Sequence, residues 1–324
     1  MRFADYLLDA VGARDGERLA VIADAGRAVA AAATAKAARA RGLEVELVTT
    51  AEDYRREADM PAPAIAAVER ADVALLHVDF PRIQFGGHSE YRRRATARGA
   101  RVGFVTYDLA DVDGEALRRV AEDTRRLADL LGAASSARLT TAAGTELELA
   151  LGDRPGTALT NELAFPGGWG ALPDFFEAAV APLEESALGV LVVDGMSLVT
   201  GLADEPIVLQ VEQGRVAGLR GGAAEMLRAY LEAAGENADV VCELGVGTNG
   251  VAPTALTGGF VDKRIAGTAH LGLGDNLGLG GASRAATHTD VLVRDARLEL
   301  DGRVVVADGR LRLPQAPSSV SRSR

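Results

Sequence analysis

Apolar and polar positions follow one rhythm in the first part of the chain and another after it. Up to about residue 135, short apolar runs alternate with Ala-, Arg- and Glu-rich stretches of helical period, the pattern of successive βα units. Leu19–Ala23, Glu44–Thr49, Ala71–Val78 and Arg101–Tyr107 read as strands, and Gly26–Arg41 and Glu90–Arg98 as helices. Asp113–Leu131 sets Leu117, Val120, Ala121, Leu127 and Leu131 near helical spacing among charges, which predicts an amphipathic helix. After Gly132 the period becomes two. Arg138–Leu151 alternates around a glycine turn, as hairpins do. A Pro/Gly-rich segment, Pro166–Pro173, follows, then strands near Leu188–Val193 and Ile207–Val211 and a helix over Ala224–Ala234. Leu292–Leu313 alternates again, with Asp-Gly turns at Asp301-Gly302 and Asp308-Gly309, and predicts a β meander.

The expected fold class is α/β. An N-terminal open parallel-sheet domain covers residues 1–135, and a C-terminal α+β metal-binding domain with a mixed or antiparallel sheet covers 136–314. Residues 315–324, rich in Ser, Arg and Pro, are expected to be a disordered tail.

Composition narrows the function. The 324 residues carry a formal net charge of -11, which argues against a general electrostatic grip on nucleic acid or anionic lipid. Cys242 is the sole cysteine, so thiolate-only zinc and iron–sulfur sites are excluded and a metal site must use His and carboxylates. The N-terminus carries acids early and does not read as a signal peptide, no window is apolar enough to span a membrane, and the expected compartment is the cytoplasm.

Two of the four histidines fall in one glycine-rich region. It runs through Glu243-Leu-Gly-Val-Gly-Thr-Asn249, Asp262-Lys-Arg-Ile-Ala-Gly-Thr-Ala-His270 and Leu271-Gly-Leu-Gly274 to His288-Thr-Asp290. On a strand, His288 and Asp290 project from the same face, so an imidazole and a carboxylate aim at one point. With Glu243, at the end of the apolar run Val240-Val241-Cys242, they form a one-nitrogen, two-oxygen set suited to iron(II), manganese or zinc. His270 is close enough in sequence to add a ligand or to donate a hydrogen bond to one. Six glycines between Gly267 and Gly281 let the backbone turn tightly there. The competing reading is an exposed strand with chance polar residues. Gly245-Val-Gly-Thr-Asn-Gly250 matches a dinucleotide fingerprint, but Val251-Ala-Pro253-Thr opens no helix for a pyrophosphate, so a tight turn beside a strand end is preferred. No cofactor other than a metal is expected.

Elsewhere, His77 reads as a core or strand-end histidine. His88, in Gly86-Gly-His-Ser-Glu90, is a loop-borne candidate for acid/base catalysis. Arg92-Arg-Arg94 reads as a solvated helix face and Cys242 as packing.

These motifs resemble the metal-binding core of the leucyl aminopeptidases related to aminopeptidases T and S. Glu177-Ala-Ala-Val-Ala-Pro182, followed by Ser186 and Gly189, resembles their upstream segment. The resemblance implies a two-metal site, zinc or manganese, at the counterparts of Glu177, Glu243, His270, His288 and Asp290. The peptidase pattern has a Tyr seven residues after the position of His270, where this chain has Leu277. The sequence is also similar to a second branch of that superfamily, the 2,5-dihydroxypyridine 5,6-dioxygenases. That likeness implies one non-haem iron(II) on Glu243, His288 and Asp290, with His88 and His270 as acid/base or supporting groups. Glu177 would orient substrate or ligate a second ion. The implied partners are a small hydroxylated aromatic ring, dioxygen and a second copy of the chain.

Overall fold

A computed structural model of the chain describes residues 2–50, 60–78, 89–106, 110–160, 162–173 and 176–314. His88, Tyr107 and the tail 315–324 lie outside the described residues. The chain divides into two compact units, Met1–Ala121 with Thr160–Phe175, and Glu122–Leu159 with Phe176–Arg324.

The first unit is a five-stranded parallel sheet in the order Glu44–Thr50, Arg18–Asp24, Val73–His77, Arg101–Val105, Trp169–Leu172. Its inner strands are buried along almost their whole length, as expected of parallel strands covered by helices on both faces. Ile22, Leu76 and Phe104 pack there with Ala64, Val68 and Ala95 of the helices Ala62–Arg70 and Glu90–Ala97. Local chemistry places the helix starts: the Asp24 carboxylate accepts from the Arg27 amide at 3.0 Å, and Ser89 Oγ accepts from the Arg92 amide at 3.3 Å. The fifth strand, Trp169–Leu172, lies in the Pro/Gly-rich segment. Gly167, Gly168 and Gly170 break the apolar alternation there, so its pairing is visible only in the sheet. In the Arg92-Arg-Arg94 run, Arg93 and Arg94 pair with Glu90, while Arg92 stacks 4.1 Å over the Trp169 ring.

The second unit holds two sheets whose named pairings are antiparallel. The eight-stranded sheet contains the predicted hairpin, as Ser136–Thr140 and Glu146–Ala150, and the C-terminal meander, which begins at Arg297. His288–Val293, which overlaps the start of the predicted meander, belongs instead to the seven-stranded sheet. That sheet runs Gly201–Leu202, Met196–Ser197, His288–Val293, Ala269–Gly274, Val241–Gly247, Glu177–Val180, Thr157–Leu159. One apolar core unites both sheets. Leu139, Leu147, Leu191 and Leu209 come from the first, and Val180, Leu244, Val246, Leu271, Leu273, Val291 and Val293 from the second. Leu127 and Leu131 of the helix Gly114–Ala133 and Leu227 and Leu231 of the helix Ala224–Ala234 complete it. Among the described residues, no helix is long and apolar enough to cross a membrane.

His77, at the end of its strand, is fully buried. Burial, with a smaller push from the Arg27 guanidinium, lowers its pKa from 6.5 to about 3. The folded state therefore keeps this imidazole neutral while the unfolded chain protonates it. Its contribution to stability is present above pH 6.5 and is lost as pH falls toward about 3. Urea unfolding at stepped pH should show wild type losing up to ~1.4 kcal/mol per pH unit more than His77→Asn across that window. Parallel pH profiles for the two proteins would refute it.

Candidate metal centre

The seven-stranded sheet gives one face to the core and gathers five ligand-type side chains on the other. Along Ala269–Gly274, Ala269, Leu271 and Leu273 enter the core, so His270 points the opposite way. Along His288–Val293, Val291 and Val293 enter the core, and His288 and Asp290 share the other face, as their spacing predicts. Simple alternation fails for Glu243. Val241, Leu244 and Val246 all face the core, which is possible because the register with the neighbouring strand shifts between Val241 and Glu243. This β-bulge inserts one residue and turns both Cys242 and Glu243 to the ligand face.

Each of the five faces a glycine across the ladder. Glu177 is opposite Gly247, His270 opposite Gly245, His288 opposite Gly274, and Glu243 and Asp290 flank Gly272 on either side. At Gly245 and Gly272 the pairing is steric. A Cβ on Gly245 would lie 2.1 Å from His270 Nε2, and one on Gly272 would lie 2.7 Å from Glu243 Cβ and 3.0 Å from His288 Cε1. These glycines therefore act mainly by leaving space within strands. Gly245-Val-Gly247, read from sequence as part of a turn, lies inside Val241–Gly247, and the chain turns only beyond it.

The side chains converge closely. His288 Nε2 lies 2.8 Å from Glu243 Oε2 and 3.4 Å from Asp290 Oδ1, and His270 Nε2 lies 3.3 Å from Glu177 Oε1 and 3.6 Å from Glu243 Oε1. Among the described residues two ligand triads emerge, Glu243–His288–Asp290 and Glu177–Glu243–His270, each with its donor atoms within 4.8 Å of one another. Asp290 Oδ1, Glu177 Oε2 and both His270 ring nitrogens are buried without a hydrogen-bond partner among the described residues. Buried polar atoms are ordinarily satisfied, and converging lone pairs of this kind are what a divalent cation satisfies. The His288 ring is oriented from behind, its Nδ1 donating to the Asp275 carbonyl at 2.7 Å, which leaves Nε2 for the centre. Access is from this side: the His288 side chain is 34% exposed, against 5% for Glu243 and 1% for Asp290.

Lys263 completes the cluster, and sequence reasoning assigned it no role. Its Nζ donates to Asp290 Oδ2 at 2.8 Å and lies 3.7 Å from Glu177 Oε2. A tight turn, Phe260–Arg264, delivers it. The Asp262 carboxylate anchors that turn by accepting from the Thr257 and Gly258 amides at 2.9 and 2.7 Å. Gly247 admits the turn, since a Cβ there would meet the Lys263 and Ile265 carbonyls at 2.5 and 2.2 Å. The only signal in the sequence was Lys263's place inside the Asp262–His270 motif.

Electrostatics follow from this packing. Burial alone would depress both histidines. The Glu177 carboxylate overcomes it at His270, whose pKa rises to about 9, and the Asp290, Cys242 and Glu243 side chains raise His288 further. Burial pushes Glu177 up, whereas Glu243 and Asp290 are held low against burial by the imidazoles and Lys263. Lys263 is raised against its own burial by Glu177, Glu243 and Asp290. Burial also raises the Cys242 thiol; its Sγ lies 3.6 Å from His288 Nδ1, so it supports the ring as well as packing. Without metal the imidazoles hold protons that a divalent ion must displace. His88, the remaining acid/base candidate, lies outside the described residues.

The chain is similar to known proteins along most of its length. The family model for 2,5-dihydroxypyridine 5,6-dioxygenase (NicX) matches residues 5–313. A 2,5-dihydroxypyridine 5,6-dioxygenase from Pseudomonas putida KT2440 is 29% identical over 210 residues, 60% of this chain and 60% of that enzyme, so the match spans less than two thirds of its length. The solved 2,5-dihydroxypyridine dioxygenase structure from P. putida KT2440 superposes with a TM-score of 0.63 at 23% identity, covering 97% of this chain and 96% of the other. Wild-type AmpT from Thermus thermophilus superposes with a TM-score of 0.61 at 16% identity, covering 96% and 98%. These two structures share the fold.

The glycine ladder is testable directly. Gly272→Ala should fold with a loss of ~1–3 kcal/mol and should weaken divalent-metal binding by ~10-fold or more, because Glu243 and His288 must both move. Calorimetric titration of the metal-stripped variant checks this, and wild-type affinity would refute it.

Proposed function

This chain belongs to the 2,5-dihydroxypyridine 5,6-dioxygenase family, and from that premise we propose that it is an iron(II)-dependent dioxygenase that opens a hydroxylated pyridine ring. The observation that supports this reading is the convergence of Glu243, His288 and Asp290 on one point. One imidazole nitrogen and two carboxylate oxygens suit iron(II), which Glu243, His288 and Asp290 would hold. Iron bound there would supply the redox couple that lets dioxygen react with a closed-shell, electron-rich ring, which zinc does not provide.

The chain's own residues prepare the reaction. The Asp275 carbonyl keeps the His288 proton on Nδ1, so Nε2 offers its lone pair. Lys263 holds Asp290 by Oδ2 and leaves Oδ1 to ligate. His270 Nε2 and Glu177 Oε1, 3.3 Å apart, form a buried pair able to take up the proton that a ring hydroxyl loses on binding and to return it as the ring opens. The exposed edge of His288 gives a flat substrate its approach, and the buried carboxylates keep bulk water away from the opposite side.

A second reading is favoured by one observation, the triad Glu177–Glu243–His270 that shares Glu243. Two zinc or manganese ions there would make a hydrolytic site acting on amino-acid amides.

Oxygen uptake on 2,5-dihydroxypyridine by the chain loaded with iron under anaerobic conditions decides between them. Wild type should consume oxygen as the ring absorbance disappears. His288→Ala should lose more than ~100-fold of that rate with its thermal unfolding intact. Absence of uptake across a panel of hydroxypyridines, with ammonia release from leucinamide, would replace the dioxygenase reading with the hydrolytic one.

A further inference from the structure

On donor atoms alone the cluster has room for two ions, because two overlapping triads share Glu243. A cation of another kind is built into it. The Lys263 ammonium contacts one carboxylate from each triad, Asp290 at 2.8 Å and Glu177 at 3.7 Å. We propose that Lys263 stands in for a second metal ion and limits this site to one divalent ion per chain. This rests on the metal-centre reading and adds the residue that sets its stoichiometry.

Charge balance gives the reason. The three carboxylates Glu177, Glu243 and Asp290 carry at most three negative charges, and one divalent ion with the Lys263 ammonium already matches them before any proton on His270 is counted. A second divalent ion would leave a buried cluster strongly positive, and it would bind against an ammonium held by Asp290 and 3.7 Å from Glu177 Oε2. Repulsion between such charges a few ångströms apart is poorly screened away from water.

The ammonium is also held in place. Lys263 is buried, and its turn is tied by Asp262 to Thr257 and Gly258. Its backbone lies against Gly247, and the Phe260 ring centroid is 5.2 Å from Nζ. Swinging aside to admit a second ion would mean giving up these contacts as well as the hydrogen bond to Asp290.

Manganese binding to the metal-stripped full chain tests this without reference to turnover. Wild type should take up about one Mn²⁺ per chain with the paramagnetic resonance spectrum of an isolated ion. Lys263→Met, which keeps the apolar stem and removes the charge, should take up about two and give the spectrum of a coupled pair. Lys263→Gln carries the same expectation and serves if the methionine variant does not fold, as judged by thermal unfolding. Two ions in wild type, or a single ion in a folded neutral variant, would overturn the role of Lys263 alone. No manganese bound to wild type or either variant would overturn the metal centre itself, and this inference with it.

Discussion

Burying charge is the constraint on which the second unit depends. Three carboxylates, two imidazoles and an ammonium occupy one face of a sheet whose other face is apolar core. Each would be costly alone away from water, so each must find an opposite charge, a hydrogen bond or an ion. They must also fit, because a ladder of ordinary residues would fill the space they need. The alternation of ligand and glycine across neighbouring strands meets both needs. Glycine weakens a strand interior, so a sheet carrying several needs stabilisation from elsewhere. Leu244, Leu271, Leu273, Val291 and Val293 provide it by packing the reverse face into the core shared with the eight-stranded sheet.

Rigidity then becomes useful for chemistry. Donors carried on four adjacent strands are set by backbone register, which locates them more closely than loop-borne ligands would be located. The bulge at Cys242 contributes by turning Glu243 out of the core and bringing a thiol against the His288 ring that the Asp275 carbonyl already holds. An imidazole aimed by one nitrogen and fixed by the other loses little freedom when it ligates. The same geometry leaves the His288 edge of the site exposed while the carboxylates behind it are buried.

Fold alone does not select the chemistry. A hydroxypyridine dioxygenase and AmpT share this architecture with the chain, and a common scaffold can host different reactions. The chemistry therefore has to be argued from the individual side chains of the site.

Local regularities were readable from the sequence. The βα rhythm of the first unit, the hairpin after Gly132 and the helix Ala224–Ala234 follow from periods of two and 3.6, which neighbouring residues impose by themselves. His288 and Asp290 were legible as a pair for the same reason, since residues two apart on a strand share a face. The parallel pairing of Trp169–Leu172 was not, because its glycines carry no apolar alternation and its partner strand is far away in sequence. Nor was the bulge, since one inserted residue reverses the facing of Glu243 without changing composition. Lys263 carried no local signal of its own, and only the seating of its turn against Gly247 and Asp262 buries it among carboxylates. Periodicity and spacing belong to a stretch of chain, so the sequence by itself determined the elements and the residue types able to bind metal. Register and burial belong to contacts between distant stretches, so only the tertiary structure decided which of those residues meet and which cation is built in among them.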